Sequence, residues 1–546
     1  MNKELNSVRN KWRHYMNRIF LSDTNNNVVW YKQLVLYLLG LDSIFNKKLK
    51  VEYPSIVLIS DNLLTKIIVF IYTFITNTDL ILISPKFTIA YIVNAILFNK
   101  KANVLILDKN IENMILQFEK EENIIVLNYF KYVETTMSLI EKMNSITTDE
   151  NETHLNRLYK KGINKTLTDS NHIAKVSIFT PGTSSEPSVV NVAYQVLFKS
   201  MKVMSHFMGL KAGDKISVIT DFEFFPNIFT LLGLLNGLFF IQPAEDIQSS
   251  NDFIDQFKTS YHKPSIIVIS SDKFKTIWDG ILLKVYGNKI LFKLSKIQLL
   301  SWIPIFFILK EIKKVFGKNV NKIHILNEEL GTWCLDVLRK SKISFTSSYG
   351  FIEQGNFLAF KDPILFKHRN FYSKSGGTLL KDSEDIFESV HINENPTISN
   401  SVGEITVETN VKNKRMVLLS EDLGTLVDNV QSQGNRKYLH VLARKNRHLI
   451  YPSLTIKLDF IEKSIKDNIL IRDCFLIKVE NGYRLYIEPR EDLLDTHNIK
   501  WDELNLAINL LIKEIKDTKT IDIIGYAILN FKGFRNIAGK LQYYLL

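Results

Sequence analysis

The sequence predicts a layered α/β protein, with a large N-terminal α/β domain over residues 1–444 and a small α+β C-terminal domain over residues 445–546. Three observations predict it. Short β-branched runs alternate with helix-length stretches through most of the chain; after Arg444 the order changes to strand, hairpin, strand and amphipathic helix; and a composition 46% hydrophobic and 23% charged supplies enough core to exclude disordered, collagenous and disulfide-scaffold classes.

In chain order, the strand candidates are SIVLI (55–59), NVLIL (103–107), IIVLN (124–128), KVSIF (175–179), KISVIT (215–220) and PSIIVIS (264–270). Two long apolar stretches read as buried helix–strand units instead of membrane spans. In Leu63 to Ser84, Lys66 interrupts the run and Asn77-Thr78-Asp79 is turn chemistry before the strand LILIS. In Pro226 to Pro243, Gly233 and Gly237 precede the strand FFIQP. The polar, uneven segment from Thr147 to Asn171 reads as a surface connection, and no internal repeat is present. In the C-terminal part, FLIKVE (475–480), a hairpin at Asn481-Gly482, YRLYIEP and a helix from Asp502 to about Lys516 complete the small domain.

The net charge is 69 minus 57, or +12, which raises nucleic acid as a partner. The distribution argues against it: basic and acidic residues are interspersed, and no zinc knuckle, aromatic RNA-binding strand or recognition-helix pattern occurs. The densest basic run, Arg436 to His448, is either a solvated face or an anchor for cofactor phosphates or an acidic carrier protein. Cys334 and Cys474 exclude a disulfide framework and a cysteine-based zinc site. The opening residues lack the apolar core of a secretory signal, so the expected compartment is the cytoplasm. Leu299 to Leu309, LLSWIPIFFIL, is too short to span a bilayer and leaves open peripheral contact with one.

The common nucleotide and hydrolase signatures are absent: no GxGxxG after a strand, no GxxxxGK[ST], no GxSxG and no HExxH. One loop stands out. KVSIF runs into Thr180-Pro181-Gly182-Thr183-Ser184-Ser185-Glu186-Pro187-Ser188, with a helix expected from about Asn191. A glycine among hydroxyl residues at a strand end is able to wrap N–H and O–H donors around phosphate oxygens, although the same cluster also makes ordinary turns.

Further segments follow in a fixed order: Trp30-Tyr31-Lys32-Gln33-Leu34, TPGTSSEPSVV, GLKAGDKISV, Ser347-Ser348-Tyr349-Gly350-Phe351-Ile352-Glu353, Ser420-Glu421-Asp422-Leu423-Gly424, YLHVLARKNRHLI (438–450) and Arg535-Asn536-Ile537-Ala538-Gly539-Lys540. Together they resemble the AMP-forming adenylating superfamily, which includes acyl-CoA synthetases, peptide-synthetase adenylation domains and firefly luciferases. The segments are similar to its TYxEL, TSGTTGKPKGV, GLxxGD, YGxTE, TGDLG, GYLxIxGRxxDxI and TxxGK elements.

The resemblance implies ATP-dependent activation of a carboxylic acid to an acyl-adenylate, then transfer to the thiol of CoA or a carrier-protein phosphopantetheine. It implies ATP or AMP contacts from Thr180, Gly182, Thr183, Ser184, Ser185, Tyr349, Gly350, Asp422 and Arg444, with Asp422 and Arg444 on the ribose. It implies Mg²⁺ at Glu353, a hinge near Asn446 about which the small domain rotates, and Lys540 reaching the carboxylate and α-phosphate during adenylation, where a flexible point charge suits an oxygen-rich transition state. An ionised carboxylate such as Asp422 accepts from both ribose hydroxyls.

The departures are as specific as the matches. Glu186 and Ser188 stand where lysines are usual, Pro181 replaces a hydroxyl residue, Ser185 and Val189 replace glycines, Ile352 replaces a threonine and Ala443 a glycine. A carboxylate beside a triphosphate is repulsive unless it turns outward or shares the cation. Asp221 keeps an amino-acid substrate open, whereas the apolar-basic stretch Phe274 to Val320 favours a fatty or aryl acid. An amine acceptor and a non-catalytic member of the fold remain alternatives.

Overall fold

The computed structural model describes residues 12, 15, 18–22, 28–48, 55–60, 63–83, 102–107, 125–128, 153, 156–162, 174–180, 188–220, 229, 232–233, 236–241, 263–295, 297–326, 332–341, 343–350, 359–361, 377–379, 389–394, 403–411, 414–428, 437–444, 448–451, 454–457, 461–462, 465–479, 482–519 and 521–529. The chain divides into two compact units, one of Met1–Ala244, Thr259–Ser265 and Phe351–Asn356, the other of Glu245–Lys258, Ile266–Gly350 and Phe357–Leu546.

The first unit contains strands β1 (Ile19–Ser22), β2 (Val28–Trp30), β3 (Ser55–Ile59), β4 (Asp79–Leu82), β5 (Ala102–Leu107), β6 (Ile125–Asn128), β7 (Lys175–Thr180), β8 (Ser188–Ala193), β9 (Lys215–Ile219) and β10 (Phe239–Ile241). Its helices are α1 (Tyr31–Lys48), α2 (Leu63–Ile75) and α3 (Tyr194–Met208). One sheet has the order β6-β5-β3-β4-β7-β8 and is parallel except for β8. All five residues of β3 are buried, which is why SIVLI is apolar without alternation. The turn expected at Asn77 is present, with Asn77 in the left-handed region at φ 50°. β9, β10, β1 and β2 lie side by side, β10 parallel to both β9 and β1. Gly237 holds φ +65°, and a Cβ there would stand 2.6 Å from the Tyr15 ring, so only glycine fits.

Two expectations in this unit need correction. Residues 156–162, within the segment read as a surface connection, are helical, with Leu158 and Tyr159 buried and Lys161 Nζ 2.6 Å from Asp42 Oδ1. Leu158 and Tyr159 turn inward while Arg157 and Lys160 stay exposed, so the helix is amphipathic. The helix expected from Asn191 begins instead at Tyr194, because Val189, Val190 and Val192 extend the chain as β8.

The second unit contains β11 (Ile266–Ser270), β12 (Lys322–Leu326), β13 (Ser344–Tyr349), β14 (Ala359–Lys361), β15 (Gly377–Leu379), β16 (Ser389–Glu394), β17 (Gly403–Val411), β18 (Lys414–Asp428), β19 (Lys437–Arg444), β20 (His448–Tyr451), β21 (Leu454–Lys457), β22 (Ile471–Val479), β23 (Gly482–Pro489) and β24 (Ile523–Ile528). Helices α4 (Ser271–Tyr286), α5 (Lys289–Ser295), α6 (Trp302–Phe316), α7 (Thr332–Lys340), α8 (Glu491–His497) and α9 (Trp501–Lys519) accompany them. β11, β12 and β13 are parallel, and the sheet continues antiparallel through β14, β15, β19, β18, β17 and β16.

β22, β23 and β24 form a separate sheet. Its core, Ile471, Leu476, Leu485 and Ile487 with Leu504, Ile508 and Ile512 of α9, is one cluster whose buried members fall within residues 461–523, with Tyr526 and Ile528 packed against it. The expected hairpin turns at Gly482, and α9 covers the helix read from Asp502. This α+β region is held to α4 by Asp279, whose Oδ1 is 3.0 Å from the Arg490 guanidinium and whose Oδ2 is 3.1 Å from Arg472 Nε. Phe292 stacks on His497 with ring centroids 4.0 Å apart.

Candidate active site

The phosphate-loop segment is carried by β7 and β8. Their ladder runs from Lys175 opposite Ala193 to Thr180 opposite Ser188, and Ser177 Oγ donates to Asn191 Oδ1 at 2.7 Å across it. The segment 181–187 therefore connects two antiparallel strands, not a strand to a helix N-terminus. Thr180 is placed as the last residue of β7, while Gly182, Thr183, Ser184 and Ser185 lie outside the described residues. The following GLKAGD segment is a helix stop. Gly209 takes the left-handed conformation at φ 56° and donates to the His206 carbonyl, Leu210 N–H donates to Ser205 O, and Asp214 Oδ2 accepts from Lys211 N–H at 2.8 Å before β9 begins.

In the second unit, β13 ends on the Ser347-Ser348-Tyr349-Gly350 segment. Ser347 and Ser348 are buried, and Tyr349 and Gly350 are half-buried. His324, on the neighbouring strand β12, is the register partner of Thr346. Fully buried, it places Nδ1 2.9 Å from Thr346 Oγ1 and Nε2 3.1 Å from Ser348 Oγ. Burial, reinforced by the Lys322 charge, lowers its pKa to about 3, so the ring is neutral, with one nitrogen donating and the other accepting. The sequence reading missed His324. Its signal was a single polar residue inside the apolar strand KIHIL, but the partner strand on which it acts follows only from the parallel register.

Asp422 and Arg444 meet as directly opposed register partners on β18 and β19. A bulge makes this pairing. Gly424 faces Val441 and Leu423 faces Ala443, so Leu442 is one extra residue on β19; without it Ala443, not Arg444, would face Asp422. The same sheet joins this hairpin to β13, for one ladder row runs from Ser348 through Phe360, Thr378 and Tyr438 to Val427. Asp422 and Arg444 lie further along their strands, away from that row. The structure thus pairs Asp422 with Arg444 and places Tyr349 on the same sheet, with Gly350 directly after it. Glu353, Asn446 and Lys540 lie outside the described residues. Among the described residues no three His, Cys, Asp or Glu side chains group to hold a metal ion, and no helix is long and apolar enough to cross a membrane.

No protein-family profile matches the sequence, and no curated protein matches it. Solved structures do match its fold. An anthranilate CoA ligase in complex with anthranoyl-AMP aligns over 99% of this chain and 96% of its own, with TM-score 0.68 and 10% identity. The o-succinylbenzoate CoA synthetase of Bacillus subtilis in complex with AMP aligns over 99% and 98%, with TM-score 0.66 and 13% identity. An amide bond synthetase from Marinactinospora thermotolerans aligns over 99% of both chains, with TM-score 0.64 and 10% identity. With coverage of nearly the whole of each chain at TM-scores of 0.64 to 0.68, the protein has the fold of the AMP-forming adenylating enzymes.

Proposed function

We propose that the protein activates a carboxylic acid with ATP, forming an acyl-adenylate and releasing pyrophosphate, and passes the acyl group to the thiol of CoA or a carrier-protein phosphopantetheine. The observation that carries this reading is the register pairing of Asp422 with Arg444 inside this fold. A carboxylate and a guanidinium on facing strand positions fit a ribose, the carboxylate accepting from its two hydroxyls and the guanidinium donating to an oxygen. Thr180 and the loop after it, with Tyr349 and Gly350, would contact the nucleotide. Glu353 would hold Mg²⁺, which when bound neutralises phosphate charge. Lys540 would stabilise charge developing between carboxylate and α-phosphate, from a small domain, residues 445–546, that turns near Asn446.

Anthranilate and o-succinylbenzoate, named for two of the similar structures, support placing aryl acids first and fatty acids second among the substrates. The likeness to an amide bond synthetase supports a second reading in which an amine takes the acyl group. ATP–pyrophosphate exchange across a panel of aryl, fatty and amino acids tests the first half-reaction; product analysis with CoA, a carrier protein or an amine tests the second. Exchange with at least one acid is expected, and it should fall about a hundred- to a thousand-fold in Lys540→Ala while ATP binding persists. A protein that binds ATP but exchanges with no acid would instead be a non-catalytic member of the fold.

A further inference from the structure

Among the described residues, the most exposed apolar side chains gather on α5, α6 and the short 3-10 turn between them, Gln298–Leu300. Leu299 is 86% exposed, Ile290 70%, Trp302 63% and Phe306 59%, with Ile297 and Phe307 beside them in the chain. These residues are not surplus core. α6 already buries Pro304, Ile308, Ile312, Val315 and Phe316 on its other face, where Phe316 stacks on Phe274 of α4 and Glu311 pairs with Lys284 at 2.8 Å. α5 is fixed by Phe292 against His497. The platform is therefore anchored from behind and presents its apolar side outward.

Charge identifies what it faces. From Lys289 to Lys318 the sequence holds seven lysines and one acid, Glu311, and that acid is taken by Lys284. Along the outward face of α6 the apolar residues Trp302, Phe306 and Phe307 come first, and the exposed lysines Lys310, Lys313 and Lys314 follow. On α5 the exposed Lys289 and Lys293 flank Ile290. An apolar tip with a tryptophan, collared by lysines, has the amphipathic order of an interfacial helix, with rings at the acyl boundary and ammonium groups at the headgroups. Among the described residues, Trp501, Leu506 and Leu510 on α9 are also exposed, but they lack this order, because Asp502, Glu503, Lys513 and Glu514 intersperse both signs around them.

We infer that the α5–α6 platform docks the protein on an anionic lipid surface, with Leu299, Trp302 and Phe306 entering the interface and Lys310, Lys313 and Lys314 facing the acidic headgroups. The docking is peripheral. It does not depend on the ligase reading, and its test needs neither ATP nor an acid.

The full chain is mixed with vesicles of phosphatidylcholine containing phosphatidylserine and, separately, of phosphatidylcholine alone, and bound protein is measured by flotation. Binding is expected to the first and to be much weaker to the second. Each lysine near an anionic surface contributes about fivefold, so Lys310→Glu with Lys313→Glu and Lys314→Glu should lower partitioning more than about a hundredfold, and added salt should weaken the wild type. Leu299→Asp with Trp302→Asp should also abolish binding. All five positions are exposed, so circular dichroism should show each variant folded. In wild type, brominated acyl chains should quench a tryptophan signal that Trp302→Phe removes. Failure to bind anionic vesicles would overturn the proposal, as would binding that survives both variants. Retention by an acidic carrier protein, or concentration-dependent self-association, with no vesicle binding would overturn it too and reassign the face to a protein partner.

Discussion

At the position of His324 a ring that cannot reach water carries two hydroxyls of the next strand, Thr346 and Ser348. Its pKa is about 3 in the folded protein and about 6.5 in an unfolded chain. Between those values the unfolded state binds more protons, so the stabilisation is complete above about pH 6.5 and is lost as pH falls, by at most roughly tenfold in the folding equilibrium per pH unit. His324→Gln keeps hydrogen-bonding capacity without titrating. Urea midpoints for wild type should therefore fall more steeply than those of His324→Gln between pH 7 and 5, and parallel curves would mean that the ring is not held neutral. Asp422 gives a second test. Its replacement by alanine should weaken ATP and AMP alike by about tenfold or more, the worth of a charged hydrogen bond, without changing which acid is preferred. Equal nucleotide affinity by calorimetry would remove the ribose role.

On the scale of elements, the β18–β19 hairpin shows where a sequence stops being readable. The residue types at Asp422 and Arg444 were legible from their motifs, but their pairing depends on the extra residue Leu442, and no pattern of apolar positions announces a bulge. β3, β5, β6, β7, β9 and β11 were legible because each is a short apolar run rich in β-branched residues, and β3 is buried along its whole length. β8 was not, although Val189, Val190 and Val192 carried the signal, because the hydroxyl-rich loop before it invited a helix reading. Register makes a direct prediction. One alanine inserted between Ala443 and Arg444 should slip the arginine to the other face and cost as much nucleotide affinity as Arg444→Ala. A second alanine inserted between Asp422 and Leu423 should restore part of that affinity; no recovery would mean that the two residues do not act as a pair.

For the molecule as a whole, the hairpin and amphipathic helix of the α+β region were legible because they are local, and the buried residues they pack draw on 461–523. How the region is held to α4 was not legible, since Asp279 lies far in sequence from Arg472 and Arg490. Asp279→Ala would leave Arg490, only 8% exposed, with the carbonyls of Ile469 and Ile471 as its neutral partners. The expected loss is about 2 kcal/mol in the attachment of this region, read as faster hydrogen exchange in α4 and α8 while β22–β24 stay protected. Uniform exchange across both would show that the aspartate is not a local clasp. The hairpin has a different consequence for the molecule, one of inheritance. If the proposed ribose contacts hold, Lys414 to Arg444 is a portable cassette, because both contact residues and the bulge that aligns them travel in one stretch of chain. Chimeras between such proteins should keep nucleotide affinity when crossovers fall outside that stretch, and lose it when a crossover between Asp422 and Arg444 joins a bulged strand to an unbulged one.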